Sequence, residues 1–171
     1  MSTRRLFFAL WPDARQRDRL RDFIAPVAKL VEGRAIDRRN WHVTLAFIGD
    51  FPEHRTSELH EIARLTPMEP FRLRFDRMEF WPRPRIAALV TPTVPAELEH
   101  LVAGLRQQLY SAGVEIEDRT YRPHITVVRN ARPFETERLA HAADTEWTRF
   151  ELVESVSEHG QRVYRPLLKD F

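Results

Sequence analysis

The tetrapeptide His42-Val43-Thr44-Leu45 returns almost unchanged as His124-Ile125-Thr126-Val127, 82 residues further along a chain of 171. No other feature limits the possible folds so much. Each copy alternates a polar residue with an aliphatic one, which is the period of an extended strand. Side chains at i and i+2 of a strand leave the same face. His42 therefore shares a face with Thr44, and His124 with Thr126, while Val43, Leu45, Ile125 and Val127 turn into a core. A spacing close to half the chain predicts two similar lobes, each offering one imidazole and one hydroxyl to a shared cleft.

The remaining pattern supplies those lobes. Arg4 to Leu10 reads as a strand. Pro12-Asp13 suits the start of a helix whose apolar stripe is Leu20, Phe23, Ile24, Val27, Leu30 and Val31, stopped at Gly33. Trp41 to Ile48 is the first motif strand, closed by Gly49-Asp50. A second helix is expected from Glu53 to Leu65, with Leu59, Ile62 and Leu65 inward. Phe71 to Phe80 and Ile86 to Val90 read as strands joined by the turn Trp81-Pro82-Arg83-Pro84. A third helix, Pro95 to Ser111, carries Leu98, Leu101, Val102, Leu105 and Leu109 on one side. Ile125 to Arg129 is the second motif strand, and Phe150 to Val156 with Arg162 to Leu167 form a closing hairpin around His159-Gly160. No linker or low-complexity run interrupts this order. The expected fold class is α+β: two pseudo-symmetric lobes of antiparallel sheet plus helices around a central cleft, within one domain spanning 1–171.

Composition narrows the chemistry. There is no cysteine, which removes disulfides and thiolate metal sites and agrees with a reducing, cytoplasmic setting. The five glycines are isolated, so no G-x-G-x-x-G, G-x-x-x-x-G-K-[ST] or G-x-S-x-G can be written, and phosphate must be held by side chains. His60-Glu61 opens like a zinc-protease helix, but Arg64 stands where the second histidine belongs. His54, His60, His100, His141 and His159 lack the motif context and read as surface residues. No three histidines have ligand spacing, so neither metal nor cofactor is expected. The apolar run Leu6 to Trp11 is too short for a membrane span or a signal-peptide core, so the expectation is a soluble monomer without a membrane partner. The formal charge is only +2, yet nearly all cations are arginines, lysine occurring only at Lys29 and Lys169. The planar guanidinium matches phosphate oxygens, which suits a nucleic-acid end better than a coating of duplex.

Two facing imidazoles can hold opposite protonation states near neutral pH, one as general base and one as general acid. Threonine hydroxyls beside them can donate to oxyanions. Such a site suits in-line phosphoryl chemistry without a metal. Arg129 ends the second block, H-I-T-V-V-R. Simple alternation sends it to the face opposite His124, so it reaches the cleft only if the strand twists, bulges or ends there. Arg122 shares the face of His124 but follows the disturbed geometry of Pro123. Trp41, Phe47, Trp81 and Tyr121 are open to two readings, core packing or stacking of a nucleobase.

The two blocks resemble the signatures of the 2H phosphoesterase superfamily and, within it, the RNA 2′,3′-cyclic phosphodiesterases, also called 2′-5′ RNA ligases. The resemblance takes in Arg5-Leu6-Phe7-Phe8-Ala9-Leu10, the run from Asn40 to Gly49, the run from Arg122 to Arg129, and Tyr164-Arg165-Pro166-Leu167. It implies a hydrolase that opens a terminal 2′,3′-cyclic phosphate of RNA to a 2′-phosphomonoester, with reversal joining a 2′-5′ linkage. His42 and His124 would be the catalytic pair, assigned as acid and base respectively, with Thr44, Thr126 and Arg129 on the substrate phosphate. The implied partners are RNA ending in a 2′,3′-cyclic phosphate, tRNA halves among the candidates, or cyclic nucleotides. Two alternatives stay open: a 2H enzyme acting on another small cyclic or 2′-5′ phosphodiester, and a module that binds RNA ends without turnover. Binding alone has no need of two titrating groups, which weighs against the second.

Overall fold

Nine strands and three helices are formed by residues 1–167, the part of the chain that the computed structural model describes. In chain order they are β1 (Thr3–Leu10), α1 (Ala14–Ala28), β2 (Arg34–Ala35), β3 (Val43–Pro52), α2 (Thr56–Leu65), β4 (Phe71–Trp81), β5 (Ile86–Val90), α3 (Ala96–Ser111), β6 (His124–Arg129), β7 (Glu137–Trp147), β8 (Glu151–Glu158) and β9 (Gln161–Pro166). The strands run in the order β7-β4-β5-β6-β3-β1-β8-β9, with β2 added beside β6, and every pairing is antiparallel.

The two motif strands lie side by side at the middle of this array. Four strands sit on the β6 side and four on the β3 side, giving the two lobes expected from the repeat. A single residue pair, Val43 opposite Ile125, joins them. Beyond it the strands part, and β2 pairs with β6 instead, Arg34 opposite Arg129 and Ala35 opposite Val128. The parting of β3 and β6 opens the cleft.

The three helices cover one face of the sheet. Leu6, Phe8 and Leu10 of β1, Val43 and Leu45 of β3, Leu89 of β5 and Ile125 and Val127 of β6 are all buried against that face. From α3 come Leu98, Leu101, Val102, Leu105 and Leu109, the stripe read from the sequence, and from α1 come Leu20, Ile24 and Val27. Each such aliphatic side chain contributes about 1.5–3 kcal/mol by leaving water. Helix α1 starts where expected, because Asp13 accepts from the Gln16 backbone while the Gln16 side chain accepts from Asp13, a reciprocal capping box.

Some expectations give way. Leu30 is 67% exposed, because α1 ends at Ala28 and the chain turns before the stripe can continue. Leu65 is 54% exposed, since the inward row of α2 runs Leu59, Ile62 and then Thr66, whose hydroxyl donates to the Ile62 carbonyl at 2.7 Å. β3 does not close at Gly49-Asp50 but continues to Pro52, Gly49 taking a left-handed φ of 80°. β2 and the edge strand β7 were not foreseen. Among the described residues no helix is long and apolar enough to cross a membrane.

Register shifts decide what the open face presents. In β3, Phe8 pairs with Ala46 but Ala9 with Thr44, so Leu45 is an extra residue. In β6, Ala87 pairs with Val128 but Ala88 with Thr126, so Val127 is an extra residue. The two bulges occupy equivalent places in the two motifs, one residue past each threonine. A bulge flips the parity of everything after it. Phe47 and Arg129, each five residues beyond its histidine, are thereby turned to the open face. Gly33 makes room for the second bulge: a Cβ there would lie 2.6 Å from Val128 Cγ1 and 2.9 Å from the Arg129 carbonyl oxygen.

Candidate active site

His42 and His124 emerge from the open face on either side of the seam, both half-buried. Their backbone tethers match. His42 Nδ1 lies 2.8 Å from the carbonyl oxygen of Asn40, and His124 Nδ1 lies 2.9 Å from that of Arg122, two residues back in each case. A carbonyl oxygen only accepts, so each Nδ1 donates its N–H. That fixes one tautomer in both lobes and leaves Nε2 as the atom that takes or gives a proton.

The surroundings differ. Trp11 stacks on the His42 ring at 5.4 Å and 13°, with Phe7 at 5.0 Å and Tyr164 edge-on at 5.2 Å. These rings belong to a small apolar cluster with Ala9 and Val153. Burial here pushes the His42 imidazole down from 6.5 to about 4; the Asn40 bond opposes this, and the positive charges of His124 and Arg129 add to it. His124 is also lowered, again chiefly by burial and with Arg122 contributing, against the bond from its Nδ1 to the Arg122 carbonyl. Its ring neighbour is Trp81, at 4.3 Å. The Arg122 guanidinium lies 4.7 Å over that indole, and both Arg122 and the Trp81 N–H donate to Glu79 Oε2, at 3.0 and 2.9 Å. Burial alone would raise the Glu79 carboxyl, but these two bonds hold it below its ordinary value.

Two cavities meet along β3. One, about 380 Å³, contains His42 and Arg129; the other, about 710 Å³, contains His124, Trp81 and Tyr121. Thr44 and Phe47 line both, so the two cavities share these residues between the His42 side and the His124 side. Arg129, carried on the His124 strand, thus serves the His42 side, brought there by the bulge at Val127. Thr126 shares the open face by register, opposite Ala88, but lines neither cavity. A larger cavity, about 810 Å³, lies on the helix side between α1 and the segment 35–41 and is reached by Val127 but by neither histidine nor threonine of the motifs.

Of the aromatic candidates, Trp41 is buried in the helix-side core and is remote from this face, whereas Phe47, Trp81 and Tyr121 border the cleft. Tyr121 also donates to the Thr44 carbonyl at 2.9 Å, tying the segment before the second motif to the first motif strand. Trp11 and Tyr164 were not anticipated, because only the pairing of β1 with β8 and of β8 with β9 brings them to His42. His54, His100, His141 and His159 are exposed and His60 half-buried, all outside the cleft.

Known proteins share this fold. The family model for LigT-like phosphoesterases matches residues 10–88, a span that holds the first motif. The RNA 2′,3′-cyclic phosphodiesterase of Escherichia coli (strain K12) is 32% identical over 127 residues, 74% of this chain and 72% of the relative. That of Archaeoglobus fulgidus is 28% identical over 134 residues, 75% of this chain and 73% of the relative. The structure of Escherichia coli LigT complexed with 3′-AMP matches at a TM-score of 0.87 and 29% identity, covering 98% of this chain and 97% of that one. With 32% identity over 74% of its length to one such enzyme and a fold that matches another structure of the group over 98% of the chain, the chain belongs to the LigT-like phosphoesterase family, of which the RNA 2′,3′-cyclic phosphodiesterases are members.

Proposed function

We propose that the protein hydrolyses a terminal 2′,3′-cyclic phosphate of RNA to a 2′-phosphomonoester, using His42 and His124 as its proton carriers and no metal. The observation that carries this reading is the matched pair of Nδ1 tethers, which leave Nε2 as the titrating atom of each histidine, in two cavities that share Thr44. Water attacks phosphorus in line with the departing ribose 3′ oxygen. His124 Nε2 takes the water proton as the new P–O bond forms, and His42 Nε2–H delivers a proton to the 3′ oxygen as the old bond breaks. The Thr44 and Thr126 hydroxyls and the Arg129 guanidinium hold the non-bridging oxygens. With an RNA 5′-hydroxyl as nucleophile in place of water, the same steps form the new P–O5′ bond, expel the 3′ oxygen and leave a 2′-5′ linkage.

In the empty cleft both imidazoles are depressed, so the acid must acquire its proton as the anionic phosphate arrives and its negative charge lifts both groups. His42 needs the larger lift, which runs against its role as acid in the free enzyme and makes the assignment testable. A diester with an activated leaving group needs no acid; if His42 is the acid, His42→Ala regains most of its activity on that substrate while His124→Ala does not.

Among the described residues no three of His, Asp or Glu gather as metal ligands, which supports direct proton transfer by the imidazoles. Both histidines come from one chain, which supports a monomer in which the lobes work as a single domain. The deciding assay offers 2′,3′-cyclic nucleotides and cyclic-phosphate-ended RNA in the presence of EDTA. Undiminished turnover to 2′-phosphomonoesters is expected. Loss of activity that a divalent cation restores, or a 3′-phosphate product, would overturn the reading.

A further inference from the structure

The cavity beside His42 holds more positive charge than one phosphate requires. Arg5, Arg34, Arg129 and Arg162 line it, and among the described residues no carboxylate does. Among the described residues Arg34, Arg129 and Arg162 form no ion pair, and Arg5 meets only Asp50, at 4.0 Å. Arg162 donates to Ser155 Oγ at 3.3 Å, which aims it without neutralising it. Arg34 and Arg129 stand directly opposite one another on β2 and β6, a cross-strand pairing of like charges that costs stability. Among the described residues no carboxylate pairs with Arg34 or Arg129, although carboxylates are abundant elsewhere on the surface.

The other cavity is of different character. Around His124 the arginines are interleaved with Glu79 and Glu117, and the walls include Trp81, Phe80 and Tyr121. That mixture suits a nucleoside, whereas the His42 side suits an anion. With the reacting phosphate at Thr44, where the cavities join, Arg129 is used up by it; Arg34 and Arg162 are not.

We infer that Arg34 and Arg162 form a second phosphate subsite, which binds the phosphate on the 5′ side of the nucleoside carrying the cyclic end. The inference rests on the proposed hydrolysis and adds a substrate preference: an RNA end, or a nucleotide bearing a 5′-phosphate, over a bare nucleoside cyclic phosphate. A phosphate on Arg34 and another on Arg129 also offset the two like charges that face each other across β2 and β6.

Calorimetry with adenosine 2′-monophosphate and adenosine 2′,5′-bisphosphate tests the subsite without turnover. The bisphosphate should bind about 10- to 100-fold more tightly, the range of one or two charge-assisted contacts. The Arg34→Gln/Arg162→Gln variant should erase that difference while binding the monophosphate within about 3-fold of wild type, since both side chains are exposed and outside the reacting pair. In kinetics, a 5′-phosphate on adenosine 2′,3′-cyclic phosphate should lower KM by a similar factor with kcat little changed, and only in the wild type. Equal affinity of the wild type for the two ligands would overturn the subsite, as would a variant that weakens both equally. If neither cyclic nucleotide is hydrolysed, the proposed reaction fails, and the calorimetric ratio still decides the subsite.

Discussion

The two histidines have identical tethers and opposite neighbourhoods. His42 is enclosed by three aromatic rings with no hydrogen-bonded carboxylate, and its charged neighbours are all cationic. His124 touches one ring, and that ring is held by Glu79, which also balances Arg122. The repeat in the sequence supplies equal orientation; the flanking strands supply unequal electrostatics. Acid–base catalysis by a pair needs both, because two imidazoles with the same pKa cannot be held efficiently in opposite states.

The largest expected effect treats the pair as equal. His42→Ala and His124→Ala should each lower kcat/KM by at least ~10²-fold with the fold intact, the scale of a lost general acid or base. Near-wild-type turnover in either variant removes the two-histidine mechanism. Threonine substitution then separates the sides. Thr44→Val and Thr126→Val should both slow the reaction, within roughly 10- to 10³-fold, with Thr44→Val the more severe because Thr44 borders both cavities. Val keeps the β-branched shape, so melting should be unchanged; equal rates in the two variants would erase the distinction.

Smaller effects follow from protonation. Between pH 6.5 and about 4 the unfolded chain protonates at His42 while the folded chain does not, so stability falls as pH drops through that window. His124, depressed as well, acts in the same sense. His42→Asn should flatten this dependence by about 2 kcal/mol, read from urea melts at pH 7 and pH 4. For the same reason the kcat/KM bell should centre on the acid side of the ordinary imidazole value of about 6.5. A centre above pH 7 contradicts the depression of both groups. The smallest shift belongs to Glu79→Gln, which leaves the Arg122 charge unbalanced beside His124 and should lower that imidazole further, seen by NMR titration. His42 should not respond; if both move together, the neighbourhoods are not separate.

What could be read from the sequence was what repeats at short range. The period of two marks β3 and β6, the Leu98-to-Leu109 stripe marks α3, and His159-Gly160 marks the closing hairpin. β7 escaped because its first half, Glu137-Arg138-Leu139-Ala140-His141, is an exposed sheet edge, where no alternation is required; only Ala143, Thr145 and Trp147 bury. The face of Arg129 hinged on one extra residue in a strand, and a bulge at Val127 has no signature in Val-Val itself. Trp11 and Tyr164 lie about 150 residues apart in sequence and meet at His42 only through sheet pairing. Local patterns name the candidate groups, while the long-range pairings set the surroundings that shift their protonation.

The route of the chain through the two lobes has a consequence for the order of synthesis. β4, β5, β6 and β7 come from one unbroken stretch, whereas the lobe of His42 combines β1 and β3 with β8 and β9 from the far side of that stretch. As the polypeptide emerges from its N-terminal end, the His124 lobe can close first. β1 waits for β8, and the His42 ring waits for Tyr164. Until the hairpin of β8 and β9 is made the chain carries an unfinished pair of surroundings, and the candidate site is completed only when that hairpin docks.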